Sequence, residues 1–124
     1  MERLRKDNLF RETLDLRSQG EHSGAVELLS KVVAADKHHL DALFLLGSSL
    51  FSLDRFLEAI EAFRSVLGER PQNEPASLGL FHSFWSLGEY REAYNEMRRF
   101  LAIADSEEYE RLLAGINEEL GHSG

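Results

Sequence analysis

A 34-residue period constrains this chain more than any other feature, because units repeated every roughly 20 to 50 residues stack on their neighbours and share a continuous core. Ala25, Ala59 and Ala93 set the frame and open the stretches AVELLSKVV, AIEAFRSVL and AYNEMRRFL. Four residues after each alanine stand Leu29, Phe63 and Met97, and seven after stand Val32, Val66 and Phe100. Upstream the columns continue: His22, Phe56 and Tyr90 three residues before, Leu16, Leu50 and Phe84 nine before, Leu9, Leu43 and Ser77 sixteen before. In that last column Ser77 alone breaks the apolar pattern.

Within each unit apolar residues recur at spacings of three and four on either side of a short polar break, which predicts two helices joined by a turn. The breaks are SQGEHS, SLDRF and SLGEY. Gly20 and Gly88 stand where a left-handed helix end is wanted, and Asp54 is a tolerable substitute in the middle unit. Between units, ERPQNEP supplies Asn73 as a cap and Pro75 in the first turn of the next helix, while ADKHHLD does the same job less firmly. No segment alternates with period two, so no strands are expected. Beyond the third unit, Asp105 and Glu108 read as a capping box for a last helix over about 106–120. That helix has Tyr109, Leu112, Leu113, Ile116 and Leu120 on one stripe and Glu108, Glu110, Glu118 and Glu119 elsewhere, and Gly121 is placed to end it. An end helix of this kind shields the open end of a stacked array.

Composition narrows the function. The 124 residues, 43% hydrophobic and 29% charged, suit one folded domain over residues 1–124. A formal charge of −8 repels phosphate backbones and anionic membrane surfaces, so neither nucleic acid nor membrane is an expected partner. With no cysteine, thiolate chemistry and thiolate-held metals are excluded. No apolar run approaches the roughly 20 residues of a membrane span and the start has no signal-peptide core, so a soluble, cytoplasmic protein is expected. Phosphate-loop, dinucleotide, HExxH and GxSxG motifs are all missing, and GEHSG at 20–24 is a turn. Glu107 and Glu108 sit at a helix start, where the dipole favours them without any acid–base role. The five histidines form no ligand pattern; His38 and His39 share a loop with Asp36 and Asp41 nearby. No catalytic residue, metal or cofactor is expected.

At this point the residues resemble the tetratricopeptide-repeat family, as three repeats at about 6–39, 40–73 and 74–107 plus the capping helix. The middle unit carries the resemblance best, with Leu43 in the place of the usual Trp, then Leu46, Gly47, Leu50, Ala59, Phe63 and Pro71. The first unit has Thr13 at the Gly47 place and Lys37 at the Pro71 place; the third has Phe81 and Asp105. A bulky Phe81 where the family prefers glycine implies a wider or rearranged third helix pair. The resemblance implies an all-α, right-handed α-α superhelix that acts as a non-enzymatic protein-binding adaptor or scaffold.

In this family the first helix of each pair lines a concave face that grips an extended or helical partner segment. Carrying those positions over by register gives Phe10, Arg11, Leu14 and Arg17 in the first unit, with Asp7. The second unit gives Phe44, Ser48 and Phe51, with Asp41, Leu45 and Ser52; the third gives Leu78, His82 and Trp85, with Pro75, Gly79 and Ser86. The face is largely apolar, although Phe44, Phe51 and Trp85 have an equal claim as packing residues. The family's carboxylate clamp would fall on Phe10, Leu14, Leu45, Pro75 and Gly79, none of which offers a side-chain donor, so an apolar segment is expected in place of a chaperone C-terminus. Arg11 and Arg17 either add a preference for acids at one end or pair with Glu12 or Asp15. His82, beside Trp85, adds a hydrogen bond or pH sensitivity, or is simply a satisfied or solvated histidine. Alternative readings are a dedicated chaperone or inhibitor of a secreted effector or toxin, for which −8 suits a basic client, and a self-associating module that buries the aromatic face in a homodimer. The frame itself is testable: Ala59 lies where paired helices approach, so Ala59→Trp should remove about 1 to 3 kcal/mol and lower the thermal midpoint. An unchanged midpoint would sink the 34-residue register.

Overall fold

The computed structural model describes residues 2–122, with side chains described for 8–118. Its elements are α1 (Glu2–Ser18), α2 (His22–Ala35), α3 (Leu40–Ser52), α4 (Phe56–Glu69), α5 (Glu74–Ser86), α6 (Tyr90–Leu101) and α7 (Glu107–His122). Among the described residues there is no strand. Asp7, assigned to the groove, and Glu119 and Leu120, assigned to the last helix, lie outside the described side chains.

One turn, used three times, makes the hairpins. Gly20, Asp54 and Gly88 adopt φ of 76°, 59° and 78°. The next residue in each turn donates its N–H to a carbonyl five residues back: Glu21 to Leu16 (2.8 Å), Arg55 to Leu50 (2.9 Å) and Glu89 to Phe84 (2.9 Å). The left-handed residue closes the inner bond, to Arg17, Phe51 and Trp85 at 3.0 Å each. This pairing satisfies the last carbonyls of one helix and reverses the chain into the next. A side-chain cap opens each following pair: His39 Nδ1 accepts from the Ala42 amide (3.1 Å) and Asn73 Oδ1 from the Ala76 amide (2.9 Å). At α7 the structure corrects the capping-box expectation. Ser106, not Asp105, is the cap, accepting from the Tyr109 amide at 3.1 Å. The helix then runs past Gly121 to His122.

Consecutive helices pack in order from α1 to α6, and α3 also touches α5, so the first helices of successive pairs share one face. The result is the right-handed solenoid of three helix pairs closed by α7. Its main core runs from Leu43 and Leu50 through Ala59, Phe63 and Val66 to Phe84, Met97, Phe100 and Tyr109. A smaller core of Ala25, Leu29, Val32 and Ala42 joins the first pair to α3. Each fully buried Leu, Val or Phe contributes roughly 1.5–3 kcal/mol.

Phe63 joins the second pair to the third. A Cβ built on Gly47 of α3 would stand 2.8 Å from the Phe63 ring, and one on Gly79 of α5 would stand 2.5 Å from it. The ring is therefore received between two bare backbones, one in its own pair and one in the next. The third pair, with Phe81 at the glycine place, packs less extensively than the second pair, which has Gly47 there. Flexible Met97 stands in the Phe63 place there, and the buried Phe81 ring stacks on Trp85 (5.7 Å, 20°) and meets Tyr109 of α7 edge-on (5.7 Å).

Ser77, the break in the apolar column, is explained by the end helix. Its hydroxyl donates to Glu96 of α6 (2.6 Å) and lies 2.7 Å from the Tyr109 hydroxyl, which can donate to it. Arg99 holds the same carboxylate from Nε (2.7 Å) and Nη2 (2.6 Å) and reaches the Pro71 carbonyl with Nη1 (3.2 Å). A small polar residue thus admits a fully buried tyrosine, and every member of the network has a partner. Burial, reinforced by the Glu96 charge, raises the Tyr109 phenol well above its ordinary 10.0 against the opposing Ser77 bond.

Two outcomes follow from this packing. Gly79→Ala gains about 1 kcal/mol of helix propensity but drives a methyl into the Phe63 ring, which Gly47 and the buried core confine behind, and overpacking of about 1–3 kcal/mol wins. Its thermal midpoint should fall and recover when Phe63→Leu is added; a midpoint that rises would refute the wedge. The folded chain also holds the Tyr109 proton more tightly than the unfolded chain, so this contribution is complete below about pH 10 and is lost as pH rises further. The stability advantage of wild type over Tyr109→Phe should therefore shrink between about pH 8 and pH 11. An advantage constant over that range counts against the buried phenol.

Candidate functional site

Alternation along α3 and α5 decides what the shared face presents. Leu43, Gly47, Ser49 and Leu50 are buried, which turns Phe44, Ser48 and Phe51 to the other side of α3. On α5, Ser77, Leu80, Phe81 and Phe84 are buried, and Leu78, His82 and Trp85 are turned outward. Between the two helices lies a cleft of about 340 Å³ lined by Phe44, Ser48, Phe51, Ser52, Phe63, Pro75, Gly79 and His82. That volume falls in the roughly 300–1,000 Å³ range of ligand clefts. Phe63 is its floor and Phe44 and Phe51 are its walls, with Phe44 5.9 Å from Phe63 and Phe51 edge-on to Phe56 at 5.2 Å. Both wall rings are half-buried, so packing holds their rotamers while one side stays open.

The other predicted residues divide. Trp85 is 43% exposed and stacks on Phe81, with Tyr90 against it at 4.6 Å. It lines a neighbouring cleft of about 320 Å³ with Phe81, His82, Arg111, Leu112, Gly115 and Ile116, between α5 and α7. Leu78 lines a more polar cleft with Glu74, Pro75, His82, Asp105, Ser106, Glu107, Glu108 and Arg111. His82 belongs to all three clefts. Phe10, half-buried like Phe44 and Phe51, packs on the smaller core with its ring 5.0 Å from His39 and lines none of these clefts. Leu14 and Arg11 are exposed and line none of these clefts.

Arg17 pairs with neither Glu12 nor Asp15. It crosses from α1 to α3, donating Nη1 to the Leu45 carbonyl (3.2 Å) and to the Ser49 hydroxyl, and Nη2 to the Ser48 hydroxyl (3.2 Å). Burial lowers its affinity for the proton below the ordinary arginine value. Three contributors escaped the sequence reading. Phe63 looked like core alone, although it floors the cleft; Ile116 of α7 looked like cap alone and Arg111 was given no role, although both line the second cleft. The distinction rests on which way α7 leaves the stack, for which no local pattern codes. Among the described residues no group of three or more acids and histidines is placed to hold a metal. No described helix is long and apolar enough to cross a membrane.

Models of the tetratricopeptide repeat match this chain over residues 10–74 and over residues 50–116. The chain belongs to the tetratricopeptide-repeat family. Solved structures agree. A point mutant of MamA superposes with a TM-score of 0.76 at 26% identity, over 82% of this chain and 74% of that one. A second MamA structure gives 0.74 at 24% identity over 79% of this chain, which spans 57% of the MamA chain. The first tetratricopeptide-repeat domain of Spaghetti (RPAP3), bound to the HSP90 peptide SRMEEVD, gives 0.80 at 19% identity over 94% and 93%. At that identity the likeness speaks for the fold alone. Tetratricopeptide repeats are protein–protein interaction modules, and the helices that make the central cleft, α3 and α5, are the first helices of the second and third repeats.

Proposed function

We propose that this protein is a non-enzymatic adaptor that holds a segment of a partner protein against the face made by α1, α3 and α5. One apolar side chain of the partner seats in the cleft between Phe44, Phe51 and Phe63. The supporting observation is the cleft itself: three aromatic rings held by packing and left open on one side between two repeats. A preorganised apolar socket binds without ordering its own loops, which keeps the entropic cost of association low. Trp85 and the α5–α7 cleft lie along the same helix and extend the contact past His82. The Arg17 end supplies donors, and the opposite end supplies the acids of α5 and α7.

The chain has one tryptophan, so Trp85 fluorescence reports on the face directly. Peptides selected from a randomised display library on the folded protein should shift that fluorescence on titration. Replacing Phe44 and Phe51 together by alanine should weaken them about tenfold or more. Equal affinity in the double variant would move the binding site to another surface.

A further inference from the structure

We infer that Arg17 reads an acidic side chain of the bound segment, next to the apolar residue seated in the central cleft; this rests on the groove reading above. A guanidinium has five N–H donors. The bonds to Leu45, Ser48 and Ser49 use two on Nη1 and one on Nη2. The Nε–H and the second Nη2–H meet no acceptor among the described residues, and no described carboxylate forms an ion pair with Arg17. The contrast lies within the chain: among the described arginines, Arg55, Arg64, Arg99 and Arg111 each meet a glutamate three residues away, and Arg11, Arg70, Arg91 and Arg98, which do not, are exposed to solvent. Of the described arginines Arg17 alone is half-buried with only neutral partners, in a protein with 22 acidic residues. Neutral acceptors offset only part of the solvation a buried charge gives up, and a carboxylate bound by a pair of N–H groups supplies the rest.

Ser48 sets the spacing. Its hydroxyl accepts from Arg17 and its side chain lines the cleft. A chain advancing about 3.3 Å per residue brings a carboxylate to the guanidinium within one or two residues of the apolar anchor. The far end of the face carries Glu74, Glu107 and Glu108, which repel a second acid there and give the segment a direction. The overall charge of −8 disfavours a long acidic run. Screening over about 8 Å confines that repulsion, so a single acid beside Arg17 is accepted. The partner segment therefore has an apolar anchor with one Asp or Glu beside it.

The test is selection from a randomised peptide-display library on wild type, on Arg17→Gln and on Arg17→Lys. Selected peptides are resynthesised with both ends blocked, so that the side chain is the sole carboxylate. Wild type should enrich an apolar residue with Asp or Glu one or two positions away. Changing that acid to its amide should weaken binding about tenfold or more, and less at high salt. Arg17→Gln should lose both the enrichment and the difference between acid and amide, and Arg17→Lys should keep part of each. Where Arg17→Gln unfolds, the exchange of acid for amide on wild type and on Arg17→Lys still decides. Apolar anchors selected without an acid, or a difference that persists in Arg17→Gln, overturn the role of Arg17 and leave the groove standing. Peptides indifferent to the Phe44 and Phe51 replacements overturn the groove, and the role of Arg17 with it.

Discussion

The stack depends on the close approach that two glycines permit around one aromatic ring. Phe63 meets Gly47 inside its own hairpin and Gly79 in the next. The same side chain therefore fastens both the pairing of helices within a repeat and the stacking between repeats. Interiors at near-crystalline density do not absorb an added methyl there. The central cleft is the outer side of this arrangement, because small residues that admit the ring from behind also leave a hollow in front. Packing and the open cleft share one cause at this place in the molecule.

The last repeat solves the open-end problem differently. A solenoid must cover the apolar face of its final unit, and here α7 does so with one fully buried tyrosine whose hydroxyl needs a partner. Ser77 and Glu96 replace apolar residues of the earlier units, and Arg99 balances the carboxylate. A polar network satisfied at every atom specifies the position of Tyr109 more narrowly than an apolar contact would. Beyond its first turn, α7 leans on α5 through half-buried Leu112 and Ile116, which leaves the second cleft beside Trp85.

Charge along the shared face is uneven in a way that net composition hides. The chain is acidic overall, yet the α1 end holds a guanidinium bonded only to neutral groups and the α7 end gathers carboxylates at helix starts. Those acids are stabilised by helix dipoles whatever else they do. An apolar socket between two oppositely charged ends can distinguish the direction of a chain laid across it.

How much of this was legible beforehand depended on whether its cause was local. Sequence alone determined the tandem of hairpins. Period, left-handed turn residues and the Asn73 cap act within a few positions of themselves, and the columns at Ala25, Ala59 and Ala93 repeat whatever the third dimension does. The resemblance to the family, carried over by register, assigned Phe44, Ser48, Phe51 and His82 to one face. Tertiary structure decided the rest. It packed Phe10 against the smaller core, sent Arg17 across to α3 and not back to Asp15, and gave Ser77 its reason in Glu96 and Tyr109. Each of these outcomes depends on which group from a different helix arrives to fill a gap or accept a proton. Such partners lie some 20 to 30 residues apart along the chain, at separations such as those of Ser77 from Glu96 and Arg17 from Leu45, where no periodic pattern in the sequence records them.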